Sequence, residues 1–313
     1  MQLGVHIGQQ NLSMAELRST WTRFDRAGID WISLWDHLYE APPAGGTIDH
    51  FEAVSTLGAL CADTLNARIG CLVFYVGYRN PARLAKASAT LDHISGGRFE
   101  IGLGAGWHEQ EANAFGYPFP PLATRFDMLE EAVEIVTGML RQDRTSFAGE
   151  HFRVDDVSNR PTPVTRIPLW IGGLGETRTI PLAARAADGW NAAYVGPDEF
   201  GRLNRVLDDA CERIGRDPSE VERSVNLQFV VGLDSADADR MLAETSEFWG
   251  PMAERTMRGV LAGTPDTLVD QIDAYRAAGA HGVNIALRAP WREEAIDACL
   301  ETVLPAFSSP STP

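Results

Sequence analysis

The residues best equipped for chemistry fall in a few short clusters. Asp36 and His37 stand side by side directly after an apolar run. An imidazole titrates near neutrality and can give or take a proton, and a neighbouring carboxylate can orient it or raise its basicity. A buried His and Asp that only satisfy loop backbone would leave the same dipeptide. A second cluster, Gly102-Leu103-Gly104-Ala105-Gly106-Trp107, ends one apolar run, and a third, Gly172-Gly173-Leu174-Gly175, ends a later one. Glycines in such places let backbone amides approach an anion closely, most often a phosphate. Thr177 and Arg178 would add a hydroxyl and a cation beside the third cluster. Tight strand-to-helix turns use glycines in the same way. Neither run matches GxGxxG, and Trp107 stands where a Rossmann helix would not accept it.

Trp107-His108-Glu109-Gln110-Glu111 has the look of a metal-ligand run. His108 has no histidine at i+4, however, and His6 stands alone at the end of the first apolar run, so no metal site is expected. Glu111 reads as a hydrogen-bonding residue beneath a bound ring, or as a loop anchor. No GxSxG elbow is present, which sets Ser-His-Asp hydrolysis aside. His50, His93, His151 and His281 fall in helices or inserted segments and read as structural or solvated. Trp35, Phe74, Tyr75, Tyr78, Trp107 and Trp190 gather near the same run ends and suit a flat heterocycle, although any one of them would also serve as rim packing.

These clusters need a frame that brings run ends together. Apolar strand-like runs alternate with amphipathic helices along the whole chain. Strands are expected over 3–7, 31–35, 68–74, 99–103, 168–171, 189–192, 225–232 and 283–286. Helices are expected over 13–28, 51–62, 80–96, 124–140, 179–187, 197–214, 236–258, 265–278 and 292–303. Ser13 with Glu16 has capping-box spacing, and Asn80-Pro81 followed by Gly96-Gly97 marks the start and stop of a helix. A Pro/Gly loop is expected over 42–46, a strand or hairpin insertion over 145–154, and a disordered tail over 308–313.

Eight such strand–helix units in 313 residues favour a closed (β/α)8 TIM barrel with insertions over a doubly wound sheet, which shows the same alternation. No linker divides the chain, so residues 1–307 are expected to form one domain. In a parallel barrel the active site gathers at the C-terminal strand ends, where all of the clusters above fall.

Composition narrows the function classes. The formal charge of −16, from 27 basic and 43 acidic side chains, opposes nucleic acid and anionic membranes. Cys61, Cys71, Cys211 and Cys299 are scattered without a CxxC pair, which fits a reducing cytoplasm. The N-terminus lacks a basic stretch followed by an apolar run, and no window approaches the ~20 apolar residues of a membrane span. A cytoplasmic protein with a small-molecule partner is expected.

With those residues in hand, the chain resembles the luciferase-like monooxygenase superfamily, and within it the coenzyme F420-dependent oxidoreductases. The resemblance rests on Leu34-Trp35-Asp36-His37-Leu38, Tyr78-Arg79-Asn80-Pro81-Ala82, the run 91–107, Pro168-Leu169-Trp170-Ile171-Gly172-Gly173, Ala187-Asp188-Gly189-Trp190-Asn191 and Gly263-Thr264-Pro265-Asp266. It implies a (β/α)8 barrel with a deazaflavin ring over the C-terminal strand ends. His37, beside Asp36, then partners hydride transfer, with Glu111 the third expected catalytic residue. A bulge with a non-proline cis peptide at or beside Leu72-Val73 would back the ring, next to Tyr75. Gly104, Ala105, Gly106 and Trp107 on one turn, and Gly172, Gly173, Leu174 and Gly175 on the next, complete the expected cofactor site.

One departure matters. Sugar-phosphate dehydrogenases of this branch carry a glutamate where Trp107 stands, and a tryptophan a few residues beyond the DH pair that is missing here. Sugar-phosphate oxidation is therefore not expected, and Glu109 or Glu111 would have to replace that glutamate. The resemblance implies hydride transfer between F420 and a small organic substrate in a homodimer. The alternative is an FMN-dependent monooxygenase served by a reductase partner, and a third reading is a cofactor-binding protein without turnover. The DHL tripeptide favours F420.

Overall fold

Local signals set the ends of the first helices. Ser13 Oγ accepts from Glu16 N while the Glu16 carboxylate accepts from Ser13 N, and Gly28 closes α1 (Met14–Ala27) in the left-handed region. Asn80 Oδ1 accepts from the Ala82 and Arg83 amides at the start of α3 (Pro81–Ser95), and Gly96 ends it. The structure, a computed structural model, describes residues 1–40 and 45–307. Only 45 and 46 of the expected 42–46 loop lie in that range, and the expected tail 308–313 lies outside it.

The first four strands are β1 (Gln2–Ile7), β2 (Trp31–Leu34), β3 (Arg68–Tyr75) and β4 (Phe99–Gly104), with α2 (Ala53–Asp63) between β2 and β3. After β4 come the short α4 (Glu109–Ala114), the long α5 (Leu122–Arg141) and an antiparallel hairpin, β5 (Thr145–Ala148) with β6 (Arg153–Val157). The second half runs β7 (Leu169–Gly172), α6 (Thr179–Ala186), β8 (Gly189–Ala193), α7 (Pro197–Arg213), β9 (Glu222–Val231), α8 (Ser235–Trp249), α9 (Ala253–Thr256), β10 (Val260–Gly263), α10 (Pro265–Ala277) and β11 (Gly282–Leu287). It closes with α11 (Glu293–Ala298), a π-helical turn over Cys299–Val303, and α12 (Leu304–Phe307).

Pairing is parallel from β1 through β2, β3, β4, β7, β8, β9 and β11, and β11 pairs back onto β1. The sheet is thus closed, which decides the fold for the barrel and against the doubly wound alternative. Three local features differ from the sequence reading. The helix expected over 236–258 breaks at Gly250. A further strand, β10, pairs with β9 from Gln228 to Val231, above the point where β11 leaves it. Glu111 sits on the unexpected α4. The four residues of β10 were too few to show a period against their helical neighbours.

Strand alternation divides each strand into outward residues packed under the helices and inward residues that fill the barrel. Val5, Ile32, Ile69, Ile101, Ile171, Leu227 and Ile285 are outward and fully or almost fully buried. Each such side chain stabilises the fold by about 1.5–3 kcal/mol. The interior is polar in its middle layer, where Asn191 Nδ2 and Asn284 Nδ2 both donate to Asn226 Oδ1 at 3.0 Å.

Candidate active site

The wall beneath the mouth is built by Val73. The Leu72-Val73 bond is cis, and the register of β3 against β4 shifts between Cys71 and Phe74. A Cβ on Gly102, Gly104 or Gly172 would come within 2.5–2.9 Å of a Val73 methyl. Gly104 and Gly172 therefore lie inside strands, and their missing side chains make room for this ledge. The turns that follow are neighbours because β4 and β7 pair. Gly106 (φ 72°) and Gly173 (φ 130°) turn the chain through the left-handed region, which favours glycine. Arg125 fixes the first turn by donating to the Ala105 and Gly106 carbonyls. Arg178, expected as a phosphate donor, instead pairs with Glu130 and Asp127 at 2.8 Å. Leu174 is exposed on the second turn, while Gly175 packs against the Thr179 side chain.

His37 stands at the end of β2, and its Nδ1 lies 3.1 Å from Glu111 Oε1. Glu111 is completely buried. Its Oε2 accepts from the Leu38 and Tyr39 amides at 2.7 and 2.8 Å, and its Oε1 accepts from the Tyr78 hydroxyl. Burial alone would push this carboxyl up. The His108 and His37 rings and the Tyr78 hydroxyl outweigh it and hold Glu111 well below the usual carboxylate range. His108 Nδ1 is 3.6 Å away, beyond hydrogen-bond length, so its influence is electrostatic.

The carboxylate that orients His37 is thus Glu111, 74 positions away, and not its neighbour. Asp36 turns the other way, where its Oδ2 accepts from Tyr75 N at 3.0 Å and from Arg79 at 2.6 Å. Burial raises its carboxyl despite the Arg79 guanidinium. Asp36 ties the end of β2 to β3. With Glu111 accepting at Nδ1, the other ring nitrogen of His37 is left for a reacting group.

Trp107 covers this histidine edge-on at 5.2 Å and stacks on His108 at 5.0 Å, while remaining 52% exposed. Among the described residues, both nitrogens of buried His108 and the hydroxyl of Tyr75 have no hydrogen-bond partner. His37, His108 and Glu111 offer ligand atoms within 4.8 Å of one another, a spacing that a metal could use. Four donors already occupy the lone pairs of Glu111, so the carboxylate is committed to the loop and to His37. Glu109 starts α4 on the exposed side. His50 Nε2 accepts from Trp35 Nε1 at 2.9 Å, a contact that ties it to the residue after β2.

Sequence reasoning missed the partners. Tyr78 and Arg79 belong to the stretch 78–82 that carries the family resemblance, but nothing local ties them to Glu111 and Asp36. Arg288, two positions past inward Ala286, was legible from strand parity alone.

A barrel with its polar groups gathered at the C-terminal mouth defines the class, and comparison with known proteins identifies the family. Residues 1–282 match the model of the luciferase-like monooxygenases, and the chain belongs to that family. An F420-dependent glucose-6-phosphate dehydrogenase of Kineococcus radiotolerans is 27% identical over 258 residues, 81% of this chain and 74% of that protein. An F420-dependent secondary alcohol dehydrogenase, solved with an F420-acetone adduct, superposes with a TM-score of 0.87 at 20% identity, covering 98% of this chain and 99% of that one. The oxygenating constituent of 3,6-diketocamphane monooxygenase from Pseudomonas putida, solved with FMN, has a TM-score of 0.77 at 17% identity, with 99% of each chain covered. No helix among the described residues is long and apolar enough to cross a membrane.

Proposed function

We infer that this protein is an F420-dependent oxidoreductase that moves a hydride between the deazaflavin and a small organic substrate. The observation that carries the reading is the His37–Glu111 pair at the mouth, on a fold shared with F420-dependent enzymes. The unpartnered Tyr75 hydroxyl and His108 nitrogens fit a planar heterocycle that brings its own polar edge. Leu72 and Val73 would back the ring. Gly104 to Trp107 and Gly172 to Gly175 would hold its phosphate-bearing tail with backbone amides, except Gly173, whose amide donates to the Asn191 carbonyl. When bound, F420 supplies the carbon that accepts or gives hydride.

The protein handles the proton. Glu111 keeps the Nδ1 proton of His37 in place, so the opposite nitrogen can take a proton from a substrate hydroxyl or return one to a carbonyl. Trp107, edge-on to the His37 ring at 5.2 Å, forms one wall beside it. The sugar phosphate of the Kineococcus relative is not carried over, because Trp107 replaces the glutamate that those enzymes place after the turn. FMN, with a reductase partner, is the second reading, favoured by the FMN-bound neighbour from Pseudomonas. A homodimer, on the strength of the family resemblance, and a cytoplasmic setting, on the scattered cysteines, complete the proposal.

Fluorescence titration with F420 and FMN tests the cofactor. F420 is expected to saturate the protein and FMN to leave it unchanged; tight FMN binding with no F420 binding overturns the reading. In His37→Ala, turnover should fall about 10²–10⁴-fold while F420 affinity holds within about threefold. Equal loss of both would make His37 a binding residue only.

A further inference from the structure

Two donors at the mouth are left over once the His37 machinery is accounted for. Arg288 follows β11, and Gln228 lies on β9, where the two strands pair Ala286 with Gln228. The Asn284–Asn226 hydrogen bond fixes which face of each strand points inward, so Gln228 and Arg288 also point into the barrel, one above the other. Gln228 is 4% exposed, and its Nε2 has no partner. Arg288 Nε is buried and also unpartnered. The only hydrogen bond found for this guanidinium among the described residues is a long one, 3.4 Å, to the Tyr194 hydroxyl.

No carboxylate among the described residues lies within 4.0 Å of Arg288. That is notable in a chain with 43 acidic and 27 basic side chains, where the other inward guanidinium, Arg68, has two carboxylates in range. Arg288 is partly exposed and its planar fork meets no carboxylate, so it is open to an incoming anion. His6 lies nearby and belongs to the same mouth. Burial, with Arg288 and His37 adding to it, pushes His6 down to about 3, so its ring is neutral and does not repel an anion.

The surroundings say which anion. The guanidinium sits 4.7 Å from the Trp35 ring and 5.1 Å from the Trp249 ring, between two apolar plates. One planar fork matches one carboxylate. A phosphate dianion would call for further cations, and the chain has a single lysine, Lys86, which is engaged with the Arg160 carbonyl. We propose that Arg288, held by the Trp35 and Trp249 rings and with Gln228 beneath it, binds the carboxylate of a small substrate. The proposal rests on the mouth being the reaction site and makes the substrate of that reaction an organic acid.

The test uses protein loaded with F420 and titrated with benzoate, benzamide and phenyl phosphate, read by melting temperature and by the fluorescence of the bound cofactor. Benzoate should saturate at concentrations at least about tenfold below benzamide or phenyl phosphate. Arg288→Gln should lose at least about tenfold in benzoate affinity and keep F420 affinity within about twofold, with Arg288→Lys in between. Equal binding of benzoate and benzamide, tighter phenyl phosphate, or unchanged benzoate affinity in Arg288→Gln overturns the proposal. Loss of F420 in both variants also overturns it, by making Arg288 a cofactor residue. Should unaltered protein refuse F420, the cofactor reading fails separately, and the same benzoate and benzamide titration of that protein decides this one. If Arg288→Gln does not fold, Arg288→Lys and the comparison of the three probes on the unaltered protein decide it.

Discussion

The two ends of the barrel hold similar residues in opposite states. At the floor, Arg68 donates to Glu100 and Glu222 at 3.0 and 3.3 Å and to Gln2, and lies 5.0 Å from the Trp31 ring. Trp170 donates to the second Glu100 oxygen at 2.6 Å. Charge there is spent on other charge within the chain. At the mouth, the paired carboxylates Asp36 and Glu111 hold loops, while His37, His108, Tyr75, Gln228 and Arg288 keep capacity that no protein group uses. One donor at the floor, Trp31 Nε1, is also unpartnered, so it is the gathering of several such groups beside His37 that points to a partner from outside. The difference locates chemistry at the mouth and stability at the floor, as parallel barrels generally divide these roles.

The largest expected effect tests the mouth. Glu111→Gln keeps the shape but turns one end of the side chain into a donor, facing either His37 or the Leu38 and Tyr39 amides. Turnover should fall about 10²-fold or more with little change in F420 affinity, because His37 loses the partner that sets its tautomer. Steady-state kinetics beside a cofactor titration check this, and unaltered turnover would leave Glu111 a loop anchor only.

The floor should respond in stability alone. Burial raises the Glu100 carboxyl to about 7, against the pull of Arg68 and Trp170. The folded state then holds a proton that the unfolded chain has released, so stability falls as pH rises from about 4.5 to about 7. Glu100→Gln should remove that decline, because the amide does not titrate, with turnover unchanged. Melting curves across pH measure it; a loss of activity equal to that of Glu111→Gln would erase the contrast between the two ends.

The smallest effect comes from His6, on the mouth side of β1. His6 is neutral in the fold, its Nδ1 lies 2.9 Å from Ser33 Oγ, and burial pushes it down to about 3 from an ordinary 6.5. Its contribution is complete above 6.5 and is lost as pH falls through that window, where the unfolded chain takes up the proton first. His6→Gln should flatten acid unfolding near pH 5 by about 1–2 kcal/mol. A denaturation midpoint with the same acid dependence in both proteins would assign the lability elsewhere, His50 being the next candidate because burial lowers it to about 4.

Much of this was open to reading from the chain. The helix caps at Ser13 and Asn80, the run ends that carry His37, Gly104 and Gly172, and the inserted hairpin all follow from signals within a few residues of each other. The short β10 and the break at Gly250 were hidden because four residues show no clear period and a glycine inside a helical stretch does not always stop it.

Sequence by itself determined the repeating strand–helix order, the rim on which the reactive residues stand and the parity that turns Arg288 inward, because these depend on local propensity and alternation. Tertiary structure alone decided that the sheet closes, that Glu111 rather than Asp36 holds His37, that Val73 occupies the space left by Gly102, Gly104 and Gly172, and that Arg288 meets no acid. Such pairings join residues tens of positions apart, and which carboxylate reaches which cation is set by the path of the backbone around the barrel.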